Sequence, residues 1–169
     1  MREIPLTKGK VALVDDEDHE ELSKYKWHAI CPGNGTRKGK GFYAIRRMYI
    51  DTKTAKFVYM HQHLMGTEAM FDHVNGNGLD NQRKNLREAT HSQNMCNVGK
   101  RKHNGKASSQ FIGVSLNHRG KWEVSVSIHG RRVFRETFPT EIAAAIARDC
   151  QARLHQGPFA RLNFPYGAG

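Results

Sequence analysis

One stretch of the sequence decides the fold, residues 71–97: FDHVNGNGLDNQRKNLREATHSQNMCN. Its polar side chains recur at fixed intervals. Asp72 and His73 are adjacent, and Asn85 lies twelve residues after His73. Asn94 follows nine residues later. Because these side chains supply oxygen ligands and an imidazole, the spacing marks the stretch as a candidate reactive site.

The same stretch predicts a strand, a loop and a helix in that order. Phe71–Val74 is a short apolar segment that holds the Asp-His pair, and residues 75–78 (Asn-Gly-Asn-Gly) tolerate the positive φ angles of tight turns. Arg87–Asn97 lacks glycine and proline and favours a helix of about three turns. Neighbouring side chains on a strand point to opposite sides, so Asp72 and His73 need a bulge or a bend to face one cleft.

Phosphodiester hydrolysis is one reaction that these groups suit. A divalent cation neutralises charge on the phosphate, and Asp72 and Asn94 offer the oxygen ligands that Mg²⁺ or Mn²⁺ prefers. His73 has the pKa range of a general base, and Asn85 is a candidate for fixing the orientation of the imidazole. The alternative is that the asparagines and glycines only form turns and that Asp-His is an ordinary surface pair.

Toward the N-terminus, the pattern predicts mixed strands and a short helix. Val11–Val14 is an apolar run typical of a strand, and Asp16 or Asp18 is suited to cap a helix that ends near Tyr25. Gly41–Ile50 and Lys56–Met60 are rich in aromatic and β-branched residues, which predicts a hairpin.

Toward the C-terminus, the sequence predicts three strands and one helix. Apolar and polar residues alternate along the second strand, so one face packs and the other meets solvent or a partner. Thr140 is suited to cap the helix, which runs to about Gln156 and stops at Gly157-Pro158. The strands are Phe111–Leu116, Lys121–Ile128 and Arg132–Phe138. The stripe expected to be buried on the helix is Ile142, Ile146, Cys150 and Leu154.

The charge is unevenly distributed over the 169 residues. Residues 1–60 hold 12 basic and 8 acidic side chains, residues 61–100 hold 4 of each, and residues 101–169 hold 11 and 4. The formal net charge of +11 is therefore concentrated in the last third, which is typical of a segment that binds a polyanion. The alternative is a basic surface that only aids solubility.

The cysteines and the apolar runs argue against a zinc-stabilised, a membrane-spanning or a secreted protein. Three widely spaced cysteines without a Cys-X-X-Cys pair argue against a structural zinc site and favour a reduced intracellular setting. No apolar run is long enough to span a bilayer, and none resembles a signal peptide. We therefore expect no membrane association and a cytoplasmic protein.

The motifs around the Asp-His pair resemble those of the HNH endonucleases of phages and introns. The resemblance spans about residues 60–97 and implies an α+β chain with a ββα-metal (His-Me finger) nuclease core that acts on double-stranded DNA. It implies that Asp72 and Asn94 hold the metal, that His73 is the general base, and that Asn85 orients His73. The matching segments are Met60–Gly66, Phe71–Asn77, Leu79–Arg87 and Ser92–Asn94.

The same resemblance extends to flanking residues. His61 matches a histidine common before the core motif, where it either contacts DNA phosphate or packs; His63 stands where an apolar residue is more usual and receives no role. The segment from Val14 to Trp27 also resembles the N-terminal part of many phage proteins of this class. A phage or bacterial source, hence a setting in a bacterial cell or a phage-infected host cell, and a role in homing or in another mobile element are implied by the resemblance alone.

A second resemblance covers about residues 109–165, which are similar to the Apetala2 domain of plant ethylene-response factors. It implies three antiparallel strands packed on one helix, with the sheet in the major groove. The candidate DNA contacts are Arg119, Lys121, Arg131, Arg132 and Arg135. The chain departs from the plant pattern at Ile112, Ser115, Ser125 and Ser127, so base recognition is expected to differ. The segments that carry the match are Phe111–Val114, Gly120–Trp122, Gly130–Phe134, Thr137–Glu141, Ala143–Ala145 and Leu162–Pro165.

Together these patterns predict a DNA endonuclease in four parts: an N-terminal β-rich segment (1–58), an HNH core (59–99), a basic linker (100–108) and an Apetala2-like domain (109–169). One metal and one base predict a nick in one strand per active site, as a monomer or a dimer. Two rivals remain: a DNA-binding regulator with an inactive core, and an RNA-binding or RNA-cleaving protein.

Overall fold

The computed structural model describes residues 1–32, 41–52, 54–100, 108–128 and 130–165. The chain divides into two compact units, residues 1–90 and 91–169. The unit boundary falls between Thr90 and His91, inside the segment 59–99 that the sequence analysis treats as one core. Most of the predicted linker, residues 101–107, lies outside the described residues.

Short antiparallel pairs of strands and two helices form the first unit. Strands β1 and β2 pair with each other, β3, β4 and β5 form a sheet in that order, and β6 pairs with β7. The predicted hairpin and the predicted strand at Val11–Val14 are confirmed. The elements are β1 (Arg2–Pro5), β2 (Val11–Val14), α1 (Asp16–Ser23), β3 (His28–Ile30), β4 (Tyr43–Tyr49), β5 (Ala55–Tyr59), α2 (Met60–Met65), β6 (Phe71–His73) and β7 (Leu86–Glu88).

One apolar core joins the N-terminal segment to the start of α2. Met60, the first residue of α2, and Leu22 of α1 are fully buried, and the Trp27 indole N–H donates to the Leu22 carbonyl at 2.8 Å. The first 58 residues and the residues after them therefore share one buried cluster. Its buried members are Ile4, Ala12, Val14, Leu22, Trp27, Ala44 and Met60.

The loop between β6 and β7 passes so close to the sheet that one position requires glycine. A Cβ on Gly78 would lie 2.6 Å from the Phe42 carbonyl oxygen and 2.7 Å from the Tyr43 ring. Such distances are far shorter than van der Waals contact, and the nearest atom belongs to the backbone. Gly78 therefore lets the loop rest against the start of β4, where Tyr43 also contacts the candidate site.

The second unit has a three-stranded antiparallel sheet in the order β10-β9-β8, with α4 packed on it. Thr140 caps α4 as predicted, since its hydroxyl accepts a hydrogen bond from the Ala143 amide at 3.2 Å. The three predicted strands and the predicted helix are confirmed. The elements are α3 (His91–Cys96), β8 (Val114–Leu116), β9 (Trp122–Ile128), β10 (Arg131–Phe138) and α4 (Glu141–Gln156).

Two predictions on the helices are wrong in detail. Residues 87 and 88 of the predicted helix Arg87–Asn97 belong to β7, because they pair with β6, and α3 covers only His91–Cys96. On α4, the stripe expected to be buried faces solvent: Ile142 is 59% exposed and Leu154 75%. Small residues, Ala144, Ala145 and Ala152, are fully buried in its place.

No helix in the described ranges is both long enough and apolar enough to span a bilayer.

Candidate functional site

Strand β6 buries His73 among aromatic rings of the first unit. Only 4% of His73 is exposed. Its ring meets the Tyr43 ring edge-on at 5.7 Å between centroids and the His61 ring at 5.1 Å. Edge-to-face packing of this kind fixes the plane of the imidazole, because rotation would bring it into its neighbours.

Burial also decides the charge of His73. Loss of hydration lowers the pKa of His73 below its ordinary value, although the hydrogen bond with Asn81 and the negative charges of Asp72 and Asp80 oppose this shift. Nε2 of His73 lies 3.4 Å from the side-chain oxygen of Asn81. The ring is therefore predominantly neutral at pH 7, and a neutral imidazole is the form that accepts a proton.

Asp72, the other member of the pair, is held by Arg87 from the neighbouring strand. The strand register places the two residues directly opposite each other. Both Nε and Nη2 of Arg87 donate to Oδ2 of Asp72, at 3.0 and 2.6 Å. The carboxylate side chain is only 6% exposed, so its negative charge depends on a nearby positive charge.

We expect Arg87→Ala to destabilise the first unit by about 2–4 kcal/mol, because it leaves the buried Asp72 carboxylate without this partner. If Asp72 binds a divalent ion, Mg²⁺ should restore part of the loss. The measurement is the thermal unfolding temperature of the variant in Mg²⁺ and in EDTA. The double variant Asp72→Asn, Arg87→Ala is the control, and it should show no recovery with Mg²⁺. Equal recovery in both variants would contradict an ion at Asp72.

Asn85 fixes the loop that follows His73. Its side-chain oxygen accepts from the Asn75 amide at 3.0 Å, and its side-chain nitrogen donates to the Asp80 carbonyl at 2.7 Å. The side chain thus joins the two ends of the turn-rich loop. The predicted action of Asn85 on the His73 ring stays a prediction.

Further polar contacts hold the same loop in place. Asp80 accepts from the side chains of Asn75 and Gln82, both at 2.8 Å. Arg83 makes two hydrogen bonds to the Asp18 carboxylate of α1, at 2.9 and 2.7 Å. The acidic run at the start of α1 therefore anchors the loop, since charge-assisted bidentate pairs are among the strongest polar contacts.

Sequence reasoning missed Asn81 and Arg87 as members of the site. Both belong to the quoted motif segment Leu79–Arg87, but spacing alone does not show that Arg87, fifteen positions beyond Asp72, faces it from the neighbouring strand. Pairing Phe71–Val74 with the segment after the loop would have found Arg87, because opposite charges directly across an antiparallel pair stabilise it.

Asn94, the predicted second metal ligand, lies on α3 in the second unit. Its assignment as a ligand stays a prediction. Across the part of the chain that the structure describes, no three His, Cys, Asp or Glu side chains gather as a metal site of that composition would require.

His61 lies inside the aromatic cluster and is 8% exposed. Its ring stacks on Tyr59 at 5.3 Å and contacts Tyr43 and Phe71, each at 6.4 Å between centroids. Burial, with a smaller contribution from His73, lowers the pKa of His61 to about 4. These contacts favour packing over phosphate binding, and the prediction that His61 contacts DNA stays a prediction.

The first unit should lose stability in mild acid because of His61. Its pKa is about 4 in the fold, below the ordinary 6.5. The unfolded chain therefore binds more protons between these values, and stability falls as the pH falls through this range. Acidification from pH 7.5 to pH 5 should cost roughly 2 kcal/mol through His61.

Urea titrations of the wild type and of His61→Gln at both pH values would measure this contribution. His63 and His73 have pKa values lowered in the same direction, so part of the acid sensitivity should persist in the variant. An equal loss of stability in both proteins would contradict a buried, neutral His61.

In the second unit, the sheet presents two arginines on the face opposite α4. Arg132 pairs with Ser127 and Arg135 with Ser125, and a bulge between Arg132 and Phe134 keeps both arginines exposed. Arg135 makes a 2.8 Å ion pair with Glu123 on the adjacent strand. The serines beside them leave this face open at its centre.

The remaining predicted DNA contacts lie at the ends of these strands. Arg119 and Lys121 belong to the turn between β8 and β9, where both backbone amides donate to the side-chain oxygen of Asn117. Arg131 begins β10 opposite Ile128 and is exposed. The turn is therefore ordered locally, which keeps its two cations near the sheet.

Comparison with known proteins gives two matches of different extent. No family model and no solved structure matches the chain. A protein named uncharacterized HNH endonuclease L560, from Acanthamoeba polyphaga mimivirus, is 28% identical over 158 residues, which cover 92% of this chain and 76% of that protein. Dehydration-responsive element-binding protein 2A from Arabidopsis thaliana is 46% identical over 57 residues, 32% of this chain.

These matches make the chain a distant relative of a protein named as an HNH endonuclease, along almost all of its length. The likeness to the plant protein is closer in identity but is confined to about a third of the chain, which spans only 17% of that relative.

Proposed function

We propose that the protein is a metal-dependent DNA endonuclease, of the HNH type with a ββα-metal core, that nicks one strand of a duplex per active site. One observation supports this most: a buried imidazole, His73, whose pKa is lowered by burial, directly follows a buried carboxylate, Asp72, on β6, and β6 pairs with β7 without a bulge. The distant likeness to a named HNH endonuclease supports the same conclusion.

The reaction follows from the two side chains. His73 accepts a proton from a water molecule, whose oxygen then attacks the phosphorus and displaces the leaving oxygen of the strand. Asp72 would hold Mg²⁺ or Mn²⁺ through its carboxylate, and the assignment of Asn94 as a second oxygen ligand stays a prediction. When bound, the ion neutralises charge on the phosphate and on the leaving oxygen. An ion at Asp72 would share the carboxylate with Arg87, whose Nη2 lies 2.6 Å from Oδ2.

The second unit binds the duplex that the first unit cuts. Its candidate contacts are the cations of β10 and of the turn before β9: Arg119, Lys121, Arg131, Arg132 and Arg135. Five phosphate contacts would give a slope of log affinity against log salt of roughly −4 to −5. Arg135 must exchange its pairing with Glu123 for the phosphate, so its contribution should be smaller than that of Arg132.

Supercoiled plasmid carrying the DNA that neighbours the gene tests the proposal. With Mg²⁺, the wild type should convert it to open circle, and EDTA should abolish the conversion. Linear product would indicate paired cuts instead of nicks. Binding of duplex without any conversion in Mg²⁺ or Mn²⁺ would overturn the proposal in favour of a DNA-binding regulator, and preferential cleavage of RNA would favour the other rival.

A further inference from the structure

We infer that Asn81 is the positioning residue for the proposed general base: its side-chain oxygen accepts the Nε2–H of His73 and so selects the tautomer whose lone pair lies on Nδ1. This inference rests on the proposed function for its catalytic meaning, but the contact itself is independent of it. No motif spacing assigned Asn81 a part in the site.

The first observation is the contact between the two side chains. The Asn81 oxygen is 3.4 Å from Nε2 of His73, and Asn81 is completely buried. Its side-chain nitrogen has no hydrogen-bond partner within the described ranges. An unpaired buried amide group is unfavourable, so an apolar residue of the same shape would suit a purely structural position better. Within the described ranges, the His73 ring is therefore the hydrogen-bond partner of the Asn81 side chain.

The second observation is how firmly the backbone holds Asn81. The Asn81 amide donates to the Leu13 carbonyl of β2 at 2.8 Å, and the Leu13 amide donates to the Leu79 carbonyl at 2.8 Å. Leu13 and Asp80 thereby form a parallel bridge. Hydrogen bonds from Leu13 of β2 therefore fix the backbone on both sides of Asp80. They hold the Asn81 backbone in the position from which its side chain contacts His73.

The chemistry follows from the two tautomers of a neutral imidazole. One ring nitrogen carries a hydrogen and the other a lone pair, and the hydrogen bond made by one of them selects the tautomer. An oxygen acceptor at Nε2 places the hydrogen there and the lone pair on Nδ1. An amide turned the other way would donate its N–H to Nε2 and place the hydrogen on Nδ1, where it would prevent proton acceptance.

Asn85 differs from Asn81 in the hydrogen-bond partners of its side chain. The oxygen and nitrogen of Asn85 bond to the backbone of Asn75 and Asp80, at the ends of the loop. Asn85 therefore shapes the loop, whereas Asn81 contacts the imidazole itself. The two asparagines make separable contributions, and this allows a test with variants.

The test is nitrogen NMR of the His73 imidazole in the full chain, without metal and at pH 8, where the ring is neutral. The wild type should show hydrogen on Nε2 and a lone pair on Nδ1. Asn81→Leu, which keeps the shape but removes the acceptor, should lose this preference, and Asn81→Asp should retain it. Asn75→Ala, which loosens the same loop without touching Nε2, is the matched control and should also retain it.

A wild type with hydrogen on Nδ1 would overturn the inference, as would an unchanged preference in Asn81→Leu. If Asn81→Leu does not fold, the wild type and Asn81→Asp still decide the question, because loss of the preference in folded Asn81→Asp would count against an oxygen acceptor.

Plasmid nicking separates this inference from the proposed function. Asn81→Leu should nick about 10–100-fold more slowly in kcat with an unchanged KM for DNA, as is usual when the partner that orients a reactive side chain is lost. Asn81→Asp should recover much of the rate. A wild type with the expected tautomer but no nicking would refute the endonuclease and leave the positioning contact intact. Full nicking by Asn81→Leu would refute the inference and leave the endonuclease intact.

Discussion

Replacement of His73 by alanine should slow plasmid nicking by about 10²–10⁴-fold, the range that a general base contributes. The reason is the state of the ring: burial lowers its pKa, so it is neutral and ready to accept a proton at pH 7. Binding of the duplex should change little, because the cations proposed to bind it lie in the second unit. The measurement is the single-turnover rate of open-circle formation in Mg²⁺, alongside the affinity for the same DNA.

Two controls make the His73 result interpretable. His19→Ala removes a histidine of α1 in the same unit, whose ring nitrogens lie 3.4 Å from the Ser23 hydroxyl, and it should nick at the wild-type rate. Thermal unfolding of His73→Ala shows whether the loss of a buried ring has unfolded the unit. A folded His73→Ala protein that nicks like the wild type would exclude His73 as the base.

The strands of the second unit could be predicted from the sequence, but the buried face of its helix could not. Alternation along Trp122–Ile128 identifies a strand with one packed face, and Val124 and Val126 are indeed buried. On α4, residues four apart formed an apolar stripe, yet alanines face the sheet. Alanine and isoleucine both satisfy helical periodicity, and only the small side chains let α4 approach the sheet closely.

The reactive pair could be located from the sequence, whereas its partners depend on strand register. The Asp-His pair is adjacent in the chain, so its position is explicit. Arg87 reaches Asp72 because β7 pairs with β6, and local propensity favoured a helix over the same residues. Asn81 reaches His73 because Leu13, far away in sequence, holds its backbone. Contacts of this kind arise from tertiary pairing and carry no local signal.

Asp149→Ala should destabilise the second unit by about 3–5 kcal/mol, the cost of removing one partner from a buried ion pair. Asp149 is 3% exposed and Arg148 6%. The Asp149 carboxylate accepts hydrogen bonds from the backbone amides of Asn163 and Phe164, at 2.7 and 2.8 Å. It also accepts from the Asn163 side chain at 3.0 Å and from Arg148 at 3.1 Å. One carboxylate therefore satisfies four donors, and alanine would leave all four without it.

The loss of stability in Asp149→Ala should affect the sheet as well as the C-terminal segment. Asn163 donates to and accepts from the backbone of Ile112, just before β8, with its amide oxygen 2.6 Å from the Ile112 nitrogen. The Phe164 ring packs on Phe111 at 5.3 Å. Release of Asn163 from Asp149 would therefore loosen the start of β8 as well as the segment itself, and the DNA-binding face should lose affinity together with stability.

Urea unfolding of the full chain, followed by backbone amide signals of each unit, measures this effect. In Asp149→Ala the signals of residues 108–165 should disappear at a lower urea concentration, while those of residues 1–90 keep their midpoint. Asp149→Asn, which keeps an oxygen acceptor but removes the charge, should fall between the variant and the wild type. Glu136→Ala, an exposed carboxylate on β10, is the matched control and should change stability by less than about 0.5 kcal/mol. If Asp149→Ala matched Glu136→Ala, the carboxylate would not be what holds the C-terminal segment, and packing of Phe164 on Phe111 would have to account for its position.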